Sequence, residues 1–175
     1  MATPRLLPPL LMSALALTSF GMGCTRAYIQ NENVVYEFTT RDVIRDDCGL
    51  LASAAPEDLW DGKLHISGEV VRLEYWLEDT LLVGRFLDGS AADSDVFAMD
   101  GSVANVSLPG KEAEAQCFVD QLTLHMEGTT RCATEFVGVL SVRYEQRIQQ
   151  PGCACQLWVR YQAIQQGKSP CGSSS

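Results

Sequence analysis

The sequence predicts an all-β domain, an antiparallel sandwich of about eight strands, with a β-barrel as the alternative way of closing the same strands. Short runs rich in Val, Thr and aromatic residues recur along the chain between Gly, Asp and Pro signals. Within several of them apolar and polar residues alternate with a period of two, the pattern of a strand covered on one face. Seven cysteines in 175 residues add the expectation of a loop-rich fold stapled by disulfides in an oxidising compartment.

Eight segments carry the strand signal: Asn33–Thr39, Leu64–Leu77, Leu81–Leu87, Val96–Met99, Val103–Leu108, Cys117–Met126, Ala133–Arg147 and Cys155–Gln165. In the second, the apolar set shifts from Leu64, Ile66 and Val70 to Val71, Leu73, Tyr75 and Leu77. That change of parity predicts a bulge or bend at Gly68. Glu78-Asp79-Thr80 reads as a hairpin turn, Asp100-Gly101 as a second and Glu127-Gly128-Thr129 as a third. Phe136–Tyr144 has apolar residues on both parities, which predicts a central strand covered on both faces.

One or two short helices are expected near residues 41–60. There Val43, Ile44, Cys48 and Leu51 fall near helical spacing, and Pro56-Glu57-Asp58 resembles a helical first turn with acidic residues at its positive end. The alternative is a long connection pinned at Cys48 by a disulfide.

The first five residues carry one charge, Arg5, and an apolar run broken by Pro8 and Pro9 extends to Phe20. The unbroken part is too short for a transmembrane helix, which needs about 20 apolar residues, and the whole reads as a secretory signal. The run closes on Gly21-Met22-Gly23-Cys24. This arrangement resembles a bacterial lipoprotein precursor, with Gly21 and Met22 where its lipobox more often carries Leu and Ala or Ser. The resemblance covers the first 24 residues only. It implies cleavage before Cys24, acylation of Cys24 and a lipid-anchored protein. Thr25, rather than Asp, follows the cysteine, which in the lipoproteins it resembles implies the outer membrane. Secretion of a soluble or periplasmic product is the alternative. The division that follows is signal peptide 1–23, tether 24–33, a single β domain 34–171 and tail 172–175.

Cysteine parity agrees with an acylated Cys24. The remaining six, Cys48, Cys117, Cys132, Cys153, Cys155 and Cys171, form an even set able to make three disulfides. Cys153 and Cys155 are two apart, so on a strand they share a face and are expected to bond elsewhere rather than to each other.

Charge excludes one class of function. The chain has 13 basic and 22 acidic residues, a net charge of −9, the opposite of the basic footprint of a nucleic-acid binder. Chemistry-bearing motifs are sparse. His65 and His125 both fall at outward strand positions, and the sequence has neither the His-x-x-x-His and Cys-x-x-Cys spacings of zinc sites nor Gly-x-Ser-x-Gly. Asp88, Asp93 and Asp95, in a loop of small polar residues, are candidate calcium ligands, and no other cofactor is expected. Trp60, Trp76, Trp158, Tyr75 and Tyr161 are the candidates to line an apolar cavity or an exposed contact patch.

The expected role is therefore a membrane-anchored envelope lipoprotein with a structural or protein-interaction function. A lipid-anchored barrel binding a small apolar ligand is the first alternative. A hydrolase, its residues gathered only in space, is the second.

Overall fold

The computed structural model describes residues 34–47, 49–51, 59–87, 95–109, 116–153 and 155–172. The proposed signal peptide and tether lie outside them, as do Cys48, Asp88, Asp93 and residues 173–175.

The fold is all-β. Eight antiparallel strands follow one another in chain order: β1 (Val34–Asp46), β2 (Gly62–Ser67), β3 (Val70–Tyr75), β4 (Thr80–Phe86), β5 (Val96–Pro109), β6 (Gln116–Cys132), β7 (Glu135–Glu145) and β8 (Gln156–Gln165). Each pairs with its neighbours, and β1 pairs with β8, so the strands close into one ring. The closed arrangement thus replaces the two facing sheets of the sandwich. Ring closure satisfies the outer edges of β1 and β8, which an open sheet would expose.

Five local expectations change. Leu64–Leu77 is two strands joined at Gly68-Glu69, with Ser67 opposite Val70. Gly68 takes φ +59° there, so the change of parity marks a tight hairpin rather than a bend. Asp100-Gly101 lies inside the continuous strand β5, where Asp100 faces Val83 of β4 and His125 of β6. Glu127-Gly128-Thr129 lies inside β6, and the chain turns at Ala133-Thr134 instead. Residues 41–46, expected to begin a helix, complete β1 and pair with β8 through two register shifts. These irregularities mimic helical spacing. Residues 52–58, the other part of that expectation, lie outside the described residues. Phe136–Tyr144 is not covered on both faces: Phe136 and Leu140 are buried, whereas Val137 and Val139 are half-buried.

The core lies inside the ring. Phe38 makes ring contacts with Tyr75 at 5.3 Å, Phe136 at 5.6 Å and Tyr161 at 5.2 Å, while Phe97 meets Phe136 at 5.5 Å. Two glycines make room for this cluster. Gly128 faces Phe97 in the β5–β6 register, and Gly138 faces Tyr161 in the β7–β8 register. A Cβ at Gly128 would overlap the Phe97 ring, and one at Gly138 would overlap the Glu127 carbonyl. Large rings from the flanking strands thus fold over small residues on the central pair, the large–small alternation that packs a narrow barrel. The Tyr161 hydroxyl donates to the Glu127 carbonyl at 2.9 Å. Burial pushes the Tyr36 phenol up to about 12, and the Tyr75, Tyr144 and Tyr161 phenols also upward. The interior tyrosines are therefore neutral.

The long β5–β6 hairpin changes parity in both strands at once. Ala104 faces Gln121 and Val106 faces Val119, with Asn105 between them at φ +58°, a conformation Asn tolerates better than most residues. Inward positions consequently move from Met99 and Leu122 to Leu108, Cys117 and Val119, all of them buried. Disulfides pin both ends of β6: Cys117 bridges to Cys153, and Cys132 bridges to Cys171. Cys155 is disulfide-bonded as well.

Candidate functional site

A groove of about 620 Å³ crosses the outer face of β5, β6 and β7, with Leu81 of β4 on one wall. Its floor follows from the register. Asp100, His125 and Ser141 stand opposite one another on successive strands, and Ser102, Thr123 and Arg143 form the next row on the same face. Cross-strand neighbours lie about 5 Å apart, so six polar side chains make a grid two rows deep. Gln121 extends it along β6. The grid is polar because the pleat sends every second residue outward while Met99, Leu122, Leu124, Met126, Leu140 and Val142 fill the inside.

His125 is held between two carboxylates. Nδ1 lies 2.7 Å from Asp100 Oδ1, and Nε2 lies 3.4 Å from Glu127 Oε1. Partial burial disfavours the charged ring, but the hydrogen bonds and negative charge of Asp100 and Glu127 outweigh it and raise the His125 pKa above 6.5. The imidazolium is the favoured partner of this pair. Asp–His–Ser is the order of a nucleophilic relay, which needs a neutral Nε2 facing the hydroxyl. Here Nε2 faces Glu127 and the ring gains proton affinity, so the row suits polar contact rather than general-base work. The Thr123 hydroxyl donates to the Arg143 carbonyl at 3.4 Å, and the Arg143 guanidinium, the Ser102 and Ser141 hydroxyls and the Gln121 amide line the groove where a bound surface would meet them.

The other candidates are dispersed. His65 stands on β2 opposite Arg72 of β3, several strands from His125, so the two do not form a pair. Asp95 accepts the Thr130 hydroxyl at 3.0 Å and, through its carbonyl, the Thr130 N–H at 2.8 Å. It ties the start of β5 to β6. Among the described residues no group of three His, Cys, Asp or Glu side chains could hold a metal. Tyr75 and Tyr161 belong to the interior cluster, Trp60 packs on Tyr75 at a ring distance of 6.3 Å, and Trp76 and Trp158 are exposed on the outside. The five aromatics therefore do not line one cavity.

Sequence reasoning passed over Ser102, Thr123, Ser141 and Arg143. A signal was present: Asp100-x-Ser102, Thr123-x-His125 and Ser141-x-Arg143 each place two polar residues on one strand face. Only the strand order shows that the three pairs are adjacent.

No family model, curated protein or solved structure matches the chain.

Proposed function

We propose that this chain is a bacterial envelope module, held to the outer membrane through an acylated Cys24, that engages a protein partner with the outer surface of its barrel. One observation carries the choice of surface: aromatic rings in mutual contact occupy the centre of the ring, while a polar groove of about 620 Å³ opens on the outside. A barrel that holds a small apolar ligand needs the reverse, a roomy interior. Two disulfides pinning the ends of β6 fit an oxidising envelope compartment.

Cell fractionation tests the tether. The wild-type chain is expected in the membrane fraction and Cys24→Ser in the soluble fraction. A Cys24→Ser protein that still fractionates entirely with membranes contradicts the anchor.

A further inference from the structure

A second surface is independent of the groove. The two most exposed large apolar side chains among the described residues, Ile148 at 80% and Phe118 at 64%, line one concavity of about 330 Å³ with Asn105, Val106, Asp120 and Arg147. Apolar side chains this exposed bury little area in the fold, and an exposed apolar patch commonly marks a contact surface.

The backbone beneath the patch is built to hold it still. Phe118 is in register with Ser107 of β5, but the β6–β7 ladder begins only at Gln121, which leaves the Phe118 peptide groups without a strand on the β7 side. Two glutamines from the β7–β8 connection take the strand's place: Gln150 Oε1 accepts the Phe118 N–H at 3.2 Å, and Gln146 Nε2 donates to the Phe118 carbonyl at 2.9 Å. Asp120 Oδ2 accepts the Arg147 N–H at 2.7 Å. The Cys117–Cys153 disulfide locks the residue before Phe118 to the same connection. Phe118 and Ile148 are thus presented from a fixed mount, which lowers the ordering cost of binding.

We infer that this face is a self-association surface, and that its occupant is a second copy of the same chain related by a two-fold axis. A two-fold interface must be its own complement, and this patch carries both halves of each element it needs. The projecting Phe118 sits beside a concavity able to receive an apolar side chain. Arg147 pairs with Asp120 of its own chain, Nε 3.6 Å from Oδ1, and its side chain is 89% exposed, so across a two-fold axis it can exchange that partner for Asp120 of the other copy. In a chain of net charge −9, most faces of two copies repel one another. Here the charged residues lining the concavity are one of each sign, and the adjoining segment Gly101–Pro109 of β5 carries none.

Sedimentation velocity of the full chain across a concentration series, from low micromolar to near millimolar, tests the inference. The expected result is a concentration-dependent rise from monomer to dimer. Phe118→Asp should weaken the dimer by at least about tenfold, as loss of a central anchor does. Val83→Asp, at an exposed apolar position on β4, should leave it unchanged. Circular dichroism and a count of free thiols confirm that each variant is folded and bridged, and Ile148→Ser provides a milder second variant if Phe118→Asp fails that check. A chain that stays monomeric at every concentration overturns the inference. So does a dimer that both Phe118→Asp and Ile148→Ser leave intact, because it would form through another face. Membrane fractionation reads the Cys24 tether and does not depend on either result.

Discussion

Phe136 meets Tyr36, Phe38, Phe97 and Tyr161 at ring distances between 4.9 and 5.9 Å, so a single side chain joins rings contributed by β1, β5 and β8. Removing it leaves a cavity that Gly128 and Gly138, without side chains, do little to fill. Phe136→Ala is expected to cost about 3–5 kcal/mol, measured by denaturant unfolding followed by Trp fluorescence. On the outer face His125 gives a pH signature instead. Its folded-state pKa is raised, so its contribution is fully present below the unfolded value near 6.5 and is lost as pH rises through the folded value. His125→Ala should therefore lower stability more at about pH 5 than at about pH 9. Equal losses at both would contradict the pairing with Asp100 and Glu127. Asp100 and Glu127 show the limit of reading residues singly. In the sequence each looks like part of a turn, because Asp-Gly and Glu-Gly pairs favour turns, yet both occupy the outer face of long strands. Gly101 and Gly128 are there for close approach, Gly101 to the Leu81 carbonyl and Gly128 to the Phe97 ring.

At the scale of elements, the expected number of strands was reached through two opposite misreadings. Leu64–Leu77 divides into β2 and β3, while Val96–Met99 and Val103–Leu108 merge into β5. Period and parity located the inward faces of β2 and β3 well, since alternation is a local property, but gave no single inward face for β7. Termination is not local. Whether Gly68 bends a strand or ends it depends on the partner across the turn, and β1 extends through Asp46 because β8 is there to receive it. The outer grid is legible only in the same way, since it exists once β5, β6 and β7 are neighbours. The β5–β6 hairpin relies on covalent support at its far end, where Asn105 redirects the strand and Cys117 meets Cys153 across 36 residues of chain. Closing a loop of that length removes unfolded-state entropy worth about 4 kcal/mol in the chain-entropy account. Replacing both cysteines by Ser is expected to lower stability by about that amount in equilibrium urea unfolding. A loss near zero would mean that the hairpin end is held without the bridge.

For the whole molecule, ring closure decides which surfaces remain for function. The interior of an eight-stranded ring is either filled by side chains or holds one small ligand, and here aromatic rings of the chain itself meet at its centre. Among the described residues, the surfaces proposed for recognition are the polar groove over β5, β6 and β7 and the patch around Phe118. In the proposed account the acidic balance, a net charge of −9, would hold the domain off anionic headgroups, and membrane attachment falls to Cys24. Native mass spectrometry of the protein extracted from its own membrane, followed by denaturing mass with and without reduction, tests this most directly. The expected result is a chain that begins at an acylated Cys24, gains mass on reduction as its disulfides open, and carries no stoichiometric small molecule in the native spectrum. A native mass that includes one apolar molecule per chain would contradict it, because the interior would then be the binding site.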